Sequence, residues 1–355
     1  MYITRMRSKR AAVLLALGAA VALSAAGCSS ATSTPQSTIV TSDTPAPSIY
    51  CGPECAEQLE LAASPDNVEC NVGVSWSATS FPYGATSSKQ IPELAAQWFP
   101  GMNVTVTDGQ NDAATQSGQI DEMVAQGIDV LIISPRDSDA LVGAVDRATA
   151  AGVKVIAADR AVNTDVNSYI GSDNVEAGVV SGENIAAVLG DGGQLVELAG
   201  SLGAAPTIAR GDGLRTGLEG SGVDIVDSQT ADYDQAKGLT VMQDLLQKYP
   251  SGSIDGVYTH NDQMAFGAMQ AIKEAGRESE IQVFSIDGED KALEYIQAGE
   301  MQSTVGYPLV TKESVIAAAK LCSGEEIAPR IVLDSTLIDS TNVADFVGKS
   351  PQTGG

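Results

Sequence analysis

The apolar run Val153-Lys154-Val155-Ile156-Ala157-Ala158 ends in the dipeptide Asp159-Arg160. A buried strand that closes on an acid and a base sets both at the carboxyl edge of a sheet, where open α/β folds bind ligands. Asp accepts hydrogen bonds and Arg donates several from a rigid fork, so the pair can grip neighbouring hydroxyls. An ordinary strand-end salt bridge is the competing reading. Other chemistries find less support. His260 is the single histidine, and neither a nucleophile for a Ser-His-Asp triad nor partners for a zinc site accompany it. No Gly-x-x-x-x-Gly-Lys-Ser/Thr loop is present to cradle nucleotide phosphates. Asp262 and Asp287 offer a carboxylate pair that a glycosidase reading could use. No metal or cofactor is expected.

The elements that must position such residues are legible as a repeating pattern. From Cys70 onward, short β-rich runs alternate with helical stretches. Val104-Thr105-Val106, Val130 to Ile133 and Val153 to Ala158 are almost wholly apolar, as strands covered on both faces are. Helices are expected over Asp112–Gln126 and Asp137–Ala151, the latter opened by the capping groups of Asp137-Ser138-Asp139. Further strands are expected at Gln194–Ala199, Val223–Val226, Gly256–Thr259 and Gln282–Ile286. Repeated βα units make parallel sheets with right-handed crossovers. The strands are too many for one comfortable sheet, so the fold class expected is α/β with two doubly wound lobes.

The first 27 residues read as an export signal. Arg5, Arg7, Lys9 and Arg10 form a basic region, and Ala11 to Leu23 is an apolar stretch short for a membrane span. Ser24-Ala25-Ala26-Gly27-Cys28 resembles the bacterial lipoprotein cleavage box, with Ala25 where Leu is usual, which makes Cys28 the expected lipid attachment. Cleavage there removes four basic residues and no acidic ones, leaving 16 basic against 45 acidic residues, a net of −29. Such a surface repels phosphate backbones and anionic lipids, so nucleic acid is excluded as a partner and membrane contact falls to the lipid. Residues 28–69, rich in Ser, Thr and Pro at their start, are expected to form a tether. Cys51, Cys55, Cys70 and Cys322 permit three pairings, and an exported setting favours disulfides. The short Cys51–Cys55 loop suggests a local bridge, leaving Cys70 with Cys322. A redox motif is the alternative, though the spacing is one residue longer than Cys-x-x-Cys.

Several runs resemble the ribose-type periplasmic sugar-binding proteins. They include Val155 to Arg160, Gly171-Ser172-Asp173-Asn174, Gly178, and Ile132-Ile133-Ser134-Pro135-Arg136-Asp137. Ala209-Arg210-Gly211-Asp212-Gly213, Ala231-Asp232-Tyr233-Asp234, Lys237 to Gln243, His260-Asn261-Asp262-Gln263-Met264-Ala265 and Ile286-Asp287-Gly288 continue the match, in order and at matching spacing, from Asn71 to about residue 335. The resemblance implies the type I periplasmic-binding-protein fold, two lobes joined by three crossing strands with the ligand in the cleft. The first lobe would take residues 70–172 and 306–334, the second 173–305 and 335–350. Gly306 would lie near a crossing.

The resemblance also implies a ligand set. Asp159 and Arg160 would come from the first lobe, and Arg210 from the start of a second-lobe helix. Asn261, Asp287 and Tyr233 would follow second-lobe strands. A ribose binder's first-lobe loop carries an Asn and two adjacent Phe. Here the segment runs Ser75-Trp76-Ser77 to Phe81-Pro82-Tyr83-Gly84. Tyr83 matches one aromatic plate and Gly84 replaces the other, leaving Trp76 or Phe81 as substitutes. Tyr233 stands where Phe is usual, and Gly306-Tyr307-Pro308 occupies the place of the returning strand's Gln. Nearby arginines are expected to keep the site carboxylates ionised. The implied protein is a monomer without enzymatic activity. It would capture a monosaccharide or related polyol and deliver it to an ABC permease; a ligand-presenting role toward a chemotaxis receptor or sensor kinase is the alternative.

Overall fold

A computed structural model describes residues 44–353. Its strands are β1 (Glu69–Trp76), β2 (Gly101–Asp108), β3 (Val130–Ser134), β4 (Lys154–Ala158), β5 (Ser168–Ser172), β6 (Gln194–Ala199), β7 (Asp224–Thr230), β8 (Gly256–Thr259), β9 (Gln282–Asp287), β10 (Ser303–Gly306), β11 (Arg330–Leu333) and β12 (Leu337–Asp339). They form two six-stranded sheets, in the orders β11-β5-β4-β3-β1-β2 and β12-β10-β9-β8-β6-β7. Every pairing is parallel except β10 with β12. Each sheet is built from a doubly wound α/β repeat with helices on both faces, the type I periplasmic-binding-protein fold. The chain passes between the sheets three times: after Ser172, after Gly306 and after Leu333. No helix among the described residues is long and apolar enough to cross a membrane.

The central strands are buried end to end. Val130 to Ser134 and Val155 to Ala158 are inaccessible on both faces, which is why they carry no alternation of polar residues. Their carboxyl ends face the gap between the lobes, and each is followed at once by a loop or helix start.

One helix pair in the second lobe packs with unusual closeness. Asn174–Leu189 lies against Ala205–Gly217 along a seam of Gly178, Gly182, Gly213 and Gly217. A Cβ on Gly178 would sit 2.4 Å from the Arg210 carbonyl oxygen, and one on Gly213 would sit 2.1 Å from that of Val175. Only glycine permits this backbone approach, which brings Asn174 on one helix to Arg210 on the other.

Two expectations need correction. The tether expected over 28–69 does not extend through the described part: from Ser48 on, the chain is packed on the first lobe. The Ser48 amide donates to Glu313 Oε1 at 2.7 Å, and Tyr50, Cys55, Leu59 and Val68 are buried. The Ser/Thr/Pro-rich composition stops near residue 49, and the apolar residues beyond it have a core to join. Cys28 and residues 1–27 lie outside the described residues. The helix expected from Asp137 starts at Val142. Asp137 Oδ1 instead accepts the Asp139 and Ala140 amides at 3.0 and 2.8 Å, and the Ser138 amide donates to Gly203 O of the second lobe at 3.1 Å. Side-chain competition for backbone donors delays helices in this way. Both disulfides form as the spacing suggests, Cys51 with Cys55 and Cys70 with Cys322.

Adding a methyl group distinguishes the glycine seam from ordinary glycines. Gly213→Ala should lower stability by about 1–3 kcal/mol through overpacking, seen as a reduced denaturation midpoint. Gly118→Ala, on a helix where a Cβ meets nothing within 4 Å, should be neutral or stabilising by up to about 1 kcal/mol. Equal effects at the two positions would contradict the seam.

Candidate functional site

Asp159 leaves β4 with φ 67°, a left-handed conformation that Asp tolerates better than most residues. Its amide still donates to Ile170 O of β5 at 2.8 Å. The turn aims the carboxylate into the cleft, where Ser134 Oγ donates to Oδ2 at 3.1 Å and the Tyr307 hydroxyl to Oδ1 at 2.9 Å. Arg160 Nε lies 3.6 Å from Oδ2, an ion pair without hydrogen-bond geometry. The strand-end salt bridge therefore exists but is loose, and most of Arg160's donors stay available to the cavity.

Arg210 sits in the second turn of Ala205–Gly217, deeper in the helix than the start expected, and only 3% of it is exposed. Nε donates to Asn174 Oδ1 at 2.9 Å and Nη1 donates to the His260 carbonyl. Its guanidinium lies over the Tyr307 ring at 4.4 Å and is 3.9 Å from Asp287 Oδ1. Tyr233 follows β7 with φ 61°, and its hydroxyl shares a 2.9 Å hydrogen bond with Thr207. The Arg160 guanidinium reaches across from the first lobe to 5.4 Å above the Tyr233 ring. Asn261 caps the helix Asp262–Glu274, its Oδ1 accepting the Met264 amide at 3.0 Å, while it also lines the cavity. Asp287 ends β9 with φ 138° and is 7% exposed.

Trp76 and Tyr83 form an aromatic wall on the first lobe, with rings 6.3 Å apart and nearly parallel. Tyr83 in turn lies 6.0 Å from Tyr307. A Cβ at Gly84 would fall 2.6 Å from the Trp76 ring. The indole thus occupies the space of the aromatic plate that Gly84 lacks.

These groups line one cavity. The cavity is small: it leaves ≈ 60 Å³ of room for the centre of a water-sized sphere. Asp159, Arg160, Arg210, Asn261, Asp287, Tyr233, Tyr83, Trp76, Phe81 and Tyr307 all border it. Ser75 does not. It is fully buried, and its Oγ accepts from Gln116 Nε2 at 3.1 Å. Successive strand residues face opposite ways, so when Trp76 points to the cavity Ser75 points beneath the sheet. Asp262 is also absent from the wall: its oxygens accept the Glu289 amide at 2.8 Å and the Thr304 hydroxyl at 2.9 Å. It cannot flank a ligand opposite Asp287, which removes the carboxylate-pair reading.

Sequence reasoning missed Gln263, Glu289 and Pro206 in the wall and Asn174 just behind it. Gln263 Nε2 donates to both Glu289 oxygens, at 2.9 and 2.7 Å. Each follows a recognised residue by two positions, Asn261 and Asp287, which was the available signal. Protonation departs from expectation. Burial pushes the Asp287 carboxyl well above the usual range; Arg210 offsets this in part, and Asp262 and Glu289 add to it. Burial, reinforced by Asp262, moves Glu289 to about 7. The two arginines therefore do not keep every carboxylate of the site strongly acidic. The wall as a whole offers donors, acceptors and aromatic faces suited to a small polyhydroxylated molecule. No cluster of potential metal ligands occurs among the described residues.

A sequence profile described as a periplasmic binding protein domain matches residues 72–326. The ribose import binding protein of Bacillus subtilis is 35% identical over 284 residues, covering 79% of this chain and 91% of that protein. The Caulobacter myo-inositol binding protein, solved with myo-inositol, superposes with a TM-score of 0.75 at 31% identity, covering 80% of this chain and 99% of that one. The fructose-binding periplasmic domain of a hybrid two-component system gives a TM-score of 0.74 at 28% identity, covering 79% of this chain and 93% of that one.

The protonation of Asp287 has a measurable sign. A carboxyl whose folded pKa is raised contributes stability that is fully present below the unfolded value near 4 and is lost as pH rises toward the folded value. Asp287→Asn should therefore raise the melting temperature at pH 8, with the gain shrinking as the pH falls toward 4. A gain independent of pH would show that Asp287 is not held up by burial.

Proposed function

The chain belongs to the periplasmic binding protein family, in its ribose-type sugar-binding branch, and on that premise we propose that it captures a monosaccharide or polyol outside the cytoplasm and delivers it to an ABC permease. The reading rests above all on one observation: Asp159 and Arg160 from one lobe and Arg210, Asn261 and Asp287 from the other border a single cavity. A ligand can meet all of them only when the lobes are together. Binding then favours the closed form over the open one through that difference in contacts. Trp76, Tyr83 and Tyr233 offer faces for the C–H patches of a sugar, and the charged groups suit its hydroxyls. Family members bind and release their ligands and are not enzymes, and the chemistry here is likewise binding alone.

The likeness to a domain of a two-component system keeps a second role in view, presentation of the ligand to a sensor kinase. Both roles use the same cleft. A growth defect on the bound sugar after gene deletion supports import, whereas loss of a transcriptional response with normal uptake supports sensing.

The relatives suggest the ligands to try. Thermal shift with D-ribose, D-apiose, xylitol, myo-inositol, L-arabinose and D-fructose should single out one strong stabiliser, because a ligand of the native state raises stability by mass action. Arg160→Ala and Arg210→Ala should each weaken its binding by roughly ten-fold or more by calorimetry. No stabiliser in the panel, or unchanged affinity in both variants, would defeat the proposal.

Attachment through an acylated Cys28 belongs to the same proposal. Cys28→Ser should move the protein from the membrane fraction to the soluble fraction with sugar binding intact. Retention of the variant at the membrane would assign the anchoring elsewhere.

A further inference from the structure

Tyr307 joins groups of both lobes at the cleft. It follows β10 directly, at the second of the three crossings. Its amide donates to Asp287 O at 2.9 Å. Its hydroxyl donates to Asp159 Oδ1 at 2.9 Å and accepts from Asn174 Nδ2 at 3.3 Å. The same Asn174 holds Arg210 Nε through its other amide atom. The Tyr307 ring carries the Arg210 guanidinium on one face at 4.4 Å, and Tyr83 lies 6.0 Å away. Gln352 Nε2 donates to its carbonyl oxygen, fixing the backbone from behind. The side chain borders the cavity, yet only 1% of the residue is exposed. Burial and the Asp159 carboxylate raise its phenol well above the usual value, so it remains a donor.

We propose that Tyr307 is a positioning residue that aims Asp159 and Arg210, and that its ring sets which polyols fit by closing the hinge end of the cavity. The hydroxyl is committed to Asp159 and Asn174, so the aim is set through these neighbours and not through a bond to the ligand. A carboxylate and a guanidinium fixed by the same side chain cannot drift apart as the lobes move. The ring lines the cavity, and its bulk exceeds that of an unbranched amide side chain, so a Gln in its place would leave more room to the ligand. This inference rests on the sugar-binding reading above.

Two variants separate the hydroxyl from the ring. Tyr307→Phe keeps the ring, and should raise the Kd of D-ribose and D-allose by roughly ten-fold each, leaving their ratio unchanged. Tyr307→Gln opens the hinge end and should shift the D-allose to D-ribose affinity ratio by about ten-fold toward the hexose. A merely structural role would lower the melting temperature and both affinities together without moving the ratio. Parent-like affinity in Tyr307→Phe, or an unmoved ratio in Tyr307→Gln, overturns the inference. Small-angle scattering without sugar supplies a readout that survives failure of the sugar reading. The hydroxyl joins Asp159 of the first lobe to Asn174 at the start of the second, so Tyr307→Phe should have the larger radius of gyration. If the parent binds neither these two sugars nor any member of the panel above, the sugar-binding reading fails while scattering alone decides the positioning role, and an equal radius then overturns it.

Discussion

A guanidinium with almost no access to water is the constraint around which the second lobe is arranged. An unpaired charge so buried would cost several kcal/mol, and Arg210 avoids this through the Asn174 side chain, the His260 carbonyl and the Tyr307 ring, with Asp287 nearby. Each partner makes its own demand. Asn174 is within reach because glycines let two helix backbones touch. The His260 carbonyl points inward because its ring is held from behind: Nε2 lies 3.0 Å from Glu197, which also accepts from Arg215 at 2.8 Å and Ser228 at 2.7 Å. The lone histidine thus works through its backbone, and its ring belongs to the scaffold.

Much of this was legible in the sequence, for identifiable reasons. Strands buried on both faces announce themselves as uninterrupted apolar runs, so the alternation of β and α was readable from Cys70 on. A residue at a strand's carboxyl end has a strongly limited set of places to go, and Asp159, Asn261 and Asp287 went there. What stayed hidden depended on side-chain direction or on distant partners. Ser75 and Trp76 are neighbours in sequence but face opposite sides of β1, and pattern alone did not say which faced the cleft. Glu289 and Gln263 are unremarkable helix-start residues until the two loops are brought together.

The first-lobe wall illustrates how substitutions compensate. Losing a ring at Gly84 would leave a gap, but Gly84 lies in the first turn of its helix with no room for a side chain. The Trp76 indole takes that room and stacks on Tyr83. A Cβ at 84 would meet the Ala78 carbonyl oxygen at 2.0 Å before the indole at 2.6 Å, so the backbone itself demands glycine there. With no side chain possible at 84, the Trp76 indole at the strand end supplies the flat surface against the cavity, beside Tyr83.

Closure by a ligand further requires that the lobes not hold each other too firmly. Apart from the buried Asp159–Tyr307–Asn174 link at the hinge end, the direct links across the cleft are few: Ser138 N to Gly203 O at 3.1 Å, Arg136 Nη1 to Leu202 O at 3.0 Å, and the Arg160 guanidinium above Tyr233 at 5.4 Å. Partly exposed hydrogen bonds of this kind contribute about 1 kcal/mol each at most, since water replaces them on opening. Such an increment is of the order that separates conformers populated at the one-to-ten per cent level. Arg160 makes only a loose ion pair with Asp159, so most of its hydrogen-bonding capacity is kept for whatever lies between the lobes. On the proposed mechanism this division is what allows a small neutral molecule to govern the equilibrium. The lips supply geometry, while the buried Asp159, Arg160, Arg210 and Asp287 supply the affinity difference between the open and closed forms.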